Sequence, residues 1–124
     1  MTAACLSVGA LALHLAAGGF TLEWTHSVER IPWREEWRVE PGGLRLVRAA
    51  VKGSGAGMEP GAGARLEAGW WVWEPGLPPV PALDLAASGA TGSGWRLCAD
   101  GACREIGAEP GAGVRLAPCA GAGG

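Results

Sequence analysis

The chain has 124 residues and a formal net charge of −2, which is one domain's worth of sequence with no basic excess. Gly and Pro supply 22 and 9 residues, yet hydrophobic residues reach 48% and there are seven Trp, one Phe and no Tyr. That balance excludes a basic nucleic-acid binder, a coiled coil, a multi-pass membrane protein and a chain disordered throughout.

Residues 1–20 carry no charged side chain, and an apolar run from Ala3 to Ala17 is broken only by Ser7, Gly9 and His14. The length suits the hydrophobic region of a secretory signal better than a membrane span. Ala16 and Gly18, or Ala17 and Gly19, stand where small residues precede a cleavage site. The first expectation is therefore a cleaved signal over 1–19. An uncleaved N-terminal anchor and a buried core helix are the alternatives. The all-β domain is expected over 20–117 and a flexible tail over 118–124.

Export places the cysteines in an oxidising compartment. Cys5 would leave with the signal, and Cys98, Cys103 and Cys119 would remain. Asp100-Gly101 is a two-residue hairpin signal, because both turn positions need positive φ. That turn makes Cys98 and Cys103 a facing, non-hydrogen-bonded pair, whose Cα atoms lie roughly 4.5 Å apart in such registers. A Cys98–Cys103 bridge is expected; the alternative has Cys119 paired with one of the two. A pair spaced in this way, with no nearby His, makes a poor zinc site, and no metal or cofactor is expected.

From Phe20 onward the chain reads as short strands between Gly/Pro punctuation. Phe20, Leu22 and Trp24 alternate with polar residues. Trp33 to Val39 sets Trp33, Glu35, Trp37 and Val39 against the charged Arg34, Glu36 and Arg38. After a turn at Pro41-Gly42-Gly43, the apolar phase changes between Leu46 and Val47, which predicts a bulge. Trp70–Trp73 is an aromatic strand. Pro78–Pro81 reads as an extended connection or an unpaired edge. Leu83–Ala86, the 95–106 hairpin and Val114–Leu116 follow. The expectation is a single-domain antiparallel sandwich or barrel of about 7–8 short strands, preceded by an N-terminal signal or anchor helix. Residues 59–66 recur as 109–116, which raises duplication of a β unit, with coincidence in a Gly/Ala-rich chain as the rival.

Two polar clusters are candidates for chemistry. Thr25 to Trp37 holds His26, Ser27, Glu29, Arg30, Trp33 and Glu35. A polar hairpin loop is the plain explanation. His26 and Ser27 are neighbours and point to opposite faces of a strand, so they do not form a nucleophile pair, and no catalytic residue is assigned. Lys52 to Met58 has alternating glycines that let a backbone approach a ligand or form an anion nest, with a plain turn as the alternative. His26, Ser27, Glu29, Arg30, Trp33, Glu35, Lys52, Ser54, Gly55 and Gly57 would together suit a small carboxylate. Most Trp should be core. Trp70 and Trp71 point to opposite faces, so at least one exposed Trp at an interface is expected.

The ordered blocks Phe20–Glu29, Pro32–Trp37, Val51–Met58, Gly69–Trp73 and Trp95–Cys98, spanning roughly residues 20–107, resemble the domain of unknown function 1850 family. The resemblance carries over no catalytic or binding residues. It implies a small exported protein, periplasmic and either soluble or N-terminally anchored, associated with tripartite ATP-independent periplasmic (TRAP) transporters of the TAXI type. Its implied partners are the permease or the TAXI solute-binding protein, and the expected role is a non-enzymatic accessory acting by protein contact. A small organic-acid binding module is the alternative, and a hydrolase using His26 with Glu29 or Glu35 the last. No nucleic-acid partner is expected.

Overall fold

The computed structural model describes residues 4–25, 31–52, 63–87, 94–107 and 111–119. The described residues form eleven strands and no helix. These are β1 (Ala4–Val8), β2 (Leu11–Leu15), β3 (Gly19–Thr25), β4 (Pro32–Glu40), β5 (Gly43–Lys52), β6 (Arg65–Glu67), β7 (Trp70–Trp73), β8 (Leu83–Ala87), β9 (Trp95–Ala99), β10 (Ala102–Ile106) and β11 (Gly111–Pro118). They pair antiparallel in two sheets, a four-stranded one ordered β2-β1-β11-β8 and a seven-stranded one ordered β10-β9-β3-β4-β5-β7-β6. One core joins the sheets, with Leu6, Val8, Leu15, Leu85 and Leu116 from the smaller and Phe20, Leu22, Trp37, Leu44 and Leu97 from the larger.

The expected N-terminal helix is not seen. The apolar run also alternates, with Leu6 and Val8 on one side of Gly9-Ala10 and Leu11, Leu13 and Leu15 on the other. Gly9 takes a positive φ of 59° at the turn, and the two halves pair from Ala4↔Leu15 to Val8↔Leu11. An uninterrupted apolar stretch fits a helix or buried strands equally well, and here the period of two prevails. β1 is a central strand of its sheet, and Leu6 and Leu15 are fully buried. Cys5 is disulfide-bonded to Cys119 across 114 residues, so Cys119 pairs with neither hairpin cysteine. The Cys119 N–H also donates to the Cys5 carbonyl at 3.1 Å, which fixes a residue expected in a flexible tail.

The central expectations hold. Pro41-Gly42 makes the β4–β5 turn, with Pro presetting its own φ and Gly42 taking a φ of 76°. The β4–β5 register shifts between Glu36 and Trp37, because Arg48 faces Glu36 while Leu46 faces Trp37, which leaves Val47 as the extra residue of the bulge. Asp100 (φ 51°) and Gly101 (φ 79°) turn the β9–β10 hairpin, and Cys98 is bridged to Cys103 with Cα atoms 4.0 Å apart. Val80, inside the proline-rich stretch, forms a two-bond bridge with Leu44, and a Cβ on Gly43 would meet the Val80 carbonyl oxygen at 3.0 Å. Glycine there admits the close backbone approach.

Three elements exceed the predicted count: β1, β2 and the short edge strand β6. The sequence echo is not structural. Leu66 lies on β6 at the edge of the larger sheet and is 59% exposed, whereas its counterpart Leu116 lies inside the smaller sheet and is fully buried.

Candidate functional site

All seven Trp lie on the seven-stranded sheet. Alternation along β3 and β4 sends Trp24, Trp33, Glu35 and Trp37 to its inner face, because the register pairs Trp24↔Trp33, Leu22↔Glu35 and Phe20↔Trp37. Trp24 stacks on Trp33 with centroids 6.0 Å apart and planes 9° apart. Trp95 packs on Trp24 at 4.8 Å, and Trp73 meets Trp33 edge-on at 6.2 Å. The Trp33 Nε1–H is buried without a partner among the described residues. Trp37 Nε1 donates to Glu35 Oε1 at 2.9 Å. Glu35 sits in register between Leu22 and Ala49, and burial raises its pKa while the Trp37 hydrogen bond opposes that shift.

The outer face of the same sheet is a ladder of charge. The registers run Glu105–Arg96–Glu23–Arg34 across β10, β9, β3 and β4. Arg34 Nε donates to Glu23 Oε2 at 3.0 Å, and the Arg34 guanidinium lies 4.4 Å from the Trp70 ring centroid. Lys52 reaches the same ring at 5.7 Å. Arg34 is therefore fixed by an ion pair on one side and a cation–π contact on the other. Arg96 is exposed and has no ion pair or hydrogen bond among the described residues. Together Glu23, Arg34, Trp70, Arg96 and Glu105 line a groove of about 300 Å³, closed at the sheet end by Trp24 and Trp33.

The sequence-based candidates divide. His26, Ser27, Glu29, Arg30, Ser54, Gly55 and Gly57 lie outside the described residues. Trp33 lines the groove. Lys52 stands beside it through Trp70. Glu35 faces the opposite way, between the sheets, so Glu35 and Lys52 do not share a pocket. Arg96, Glu23, Trp70 and Glu105 were not among the candidates. The signal was present in the hairpin: a turn at Asp100-Gly101 places Arg96 opposite Glu105, and Arg96 then falls on the outward parity of β9. The expected exposed Trp is not found either. Trp37 is buried and the other six are half-buried.

What the groove can do is bind. A guanidinium presents a planar fork that matches a carboxylate, and half-buried indole surface accommodates the carbon skeleton behind it. A family model described as domain of unknown function (DUF1850) matches residues 20–106, and the chain belongs to that family. No curated protein and no solved structure matches the chain.

Proposed function

We propose that this member of the DUF1850 family is an exported, non-enzymatic accessory of a TAXI-type TRAP organic-acid transporter, and that its own part is to hold a small carboxylate in the groove around Arg96. The observation that carries this reading is the Arg96 guanidinium, without an ion pair or hydrogen bond among the described residues, in a groove where the neighbouring Arg34 is already occupied by Glu23 and Trp70. A guanidinium with no such partner can donate to a carboxylate without first breaking an ion pair. The site is open to water, so affinity is expected in the weak range, about micromolar to millimolar.

The Cys98–Cys103 disulfide, which lies outside the expected signal, fits an oxidising compartment and supports export. The transporter context rests on the family resemblance, and the permease or the solute-binding protein is the partner that would receive or deliver the acid. The hydrolase reading draws no support from Glu35, which is turned inward between Leu22 and Ala49.

Calorimetric titration with short mono-, di- and hydroxycarboxylates tests the proposal. At least one acid should bind saturably, and Arg96→Ala should weaken it about tenfold or more, the loss expected for one charge-assisted pair. Failure of every acid, or equal binding by Arg96→Ala, overturns it. If tagged protein then captured the permease with no acid bound, protein contact would replace ligand binding as the function.

A further inference from the structure

The two disulfides occupy opposite situations. Cys5–Cys119 joins residues 114 apart and ties β1 to the end of β11, with both cysteines half-buried. Cys98–Cys103 joins residues 5 apart, within a hairpin whose five residue pairs already align its strands. Other contacts also hold that hairpin. Leu97 is buried in the core, Trp95 packs on Trp24 at 4.8 Å, and the Asp100 carboxylate accepts the Ala16 and Ala17 N–H groups at 2.9 and 3.4 Å. The closure entropy gained from so short a loop is small. Cys103 is exposed on β10, the outermost strand of its sheet, with β9 its one strand neighbour among the described residues.

We infer that Cys98–Cys103 is a thiol–disulfide exchange site, open to attack at Cys103 by an accessible dithiol. A thiolate of the dithiol attacks Cys103 Sγ. The Cys98–Cys103 bond breaks and its electron pair leaves on Cys98 Sγ. The second thiol then attacks the mixed disulfide and releases Cys103, so the dithiol is oxidised to a disulfide and its two protons end on Cys98 and Cys103. Run in reverse, the reduced hairpin reduces a disulfide. Cys98 lines a second groove, of about 420 Å³, on the side of β9 that faces Thr21. The leaving sulfur is thus also near solvent. Since β9 stays anchored through Trp95, Leu97 and Asp100, the exchange leaves the fold standing. The inference is independent of what the Arg96 groove binds.

The test uses the oxidised full chain, graded dithiothreitol, acid quenching, alkylation and peptide mass spectrometry. Cys98 and Cys103 should be alkylated at about tenfold lower dithiothreitol than Cys5 and Cys119, since exposed disulfides are the more reducible. Tryptophan emission should be unchanged at that point. Reduction of both pairs together, or reduction of Cys98–Cys103 only as the emission shifts, overturns the inference. A second arm compares single thiols against 5,5′-dithiobis(2-nitrobenzoic acid). Cys103 in Cys98→Ser should react about tenfold faster than Cys98 in Cys103→Ser, following accessibility. Equal rates, or a faster Cys98, overturn the assignment of Cys103 as the attacked sulfur.

Discussion

The two sheets meet in one core but are built from different chemistry. The inner face of the four-stranded sheet is aliphatic, with Leu6, Val8, Leu13, Leu15, Leu85 and Leu116. The seven-stranded sheet carries every Trp and, on its inner face, the carboxyl of Glu35. Aliphatic side chains bring no polar atom into the core and ask for no partner. Each indole brings an N–H, and burial without a partner is costly. The contrast is visible in detail: Trp37 finds Glu35, and Trp33 finds no partner among the described residues. The smaller sheet is suited to stability. The larger one accepts unmet polar demands on its inner face and holds the charged groove on its outer face, which is where binding sites arise.

The comparison can be broken most forcefully at the staple of the smaller sheet. Loop closure over 114 residues corresponds to about 5 kcal/mol, whereas the hairpin bridge corresponds to about 2 kcal/mol on the same scale. The double change Cys5→Ser with Cys119→Ser should therefore lower stability in urea far more than Cys98→Ser with Cys103→Ser. Equal losses would mean that the N-terminal strands contribute little to the cooperative fold.

A smaller effect is expected at one aliphatic position. Leu6 is fully buried on a central strand, and Leu6→Ala should lose about 3 kcal/mol through transfer and cavity terms, read as a lower urea midpoint at unchanged slope. A loss below about 1 kcal/mol, the level of a surface site, would deny the core role of the N-terminal strands.

The smallest effect sharpens the contrast from the other sheet. Folded Glu35 keeps its proton above the ordinary value of 4.5. Between the unfolded and folded pKa values the native state binds more protons, so stability falls as pH rises through that interval. Glu35→Gln keeps an acceptor for Trp37 and removes the charge. The variant should be more stable than the parent at neutral pH, and the difference should shrink as the pH falls through that interval. A thermal-melt series over pH checks this. A constant difference at all pH values would mean that the carboxyl is not penalised by burial.

Much of the larger sheet was legible in the sequence. Alternation gave β3 and β4, the Pro41-Gly42 and Asp100-Gly101 turns gave two hairpins, and the phase change at Leu46–Val47 gave the bulge, because each is a local signal. The smaller sheet was hidden for a physical reason. Its β1–β2 hairpin is apolar on both strands, so the period of two is masked by composition, and its partner β11 lies more than a hundred residues away. The site was half legible. The residue types at Trp33 and Lys52 favour an anion, and both stand at the groove, whereas Glu35, two residues further along β4, lies inside between Leu22 and Ala49. Arg96 is not legible as a site residue in the sequence, because its neighbours in the groove, Glu23 and Arg34, belong to distant strands and meet it only through the β3–β9 pairing.

The division of labour is tested most directly by the indole N–H signals of the seven tryptophans in a ¹⁵N-resolved NMR titration with the organic acid that binds most tightly. The signals of Trp24, Trp33 and Trp70, which line the groove, should move with one common saturation curve, while Trp37, held by Glu35 inside the sandwich, stays in place. Movement of Trp37 with the three groove residues unmoved would place the ligand elsewhere and contradict the account.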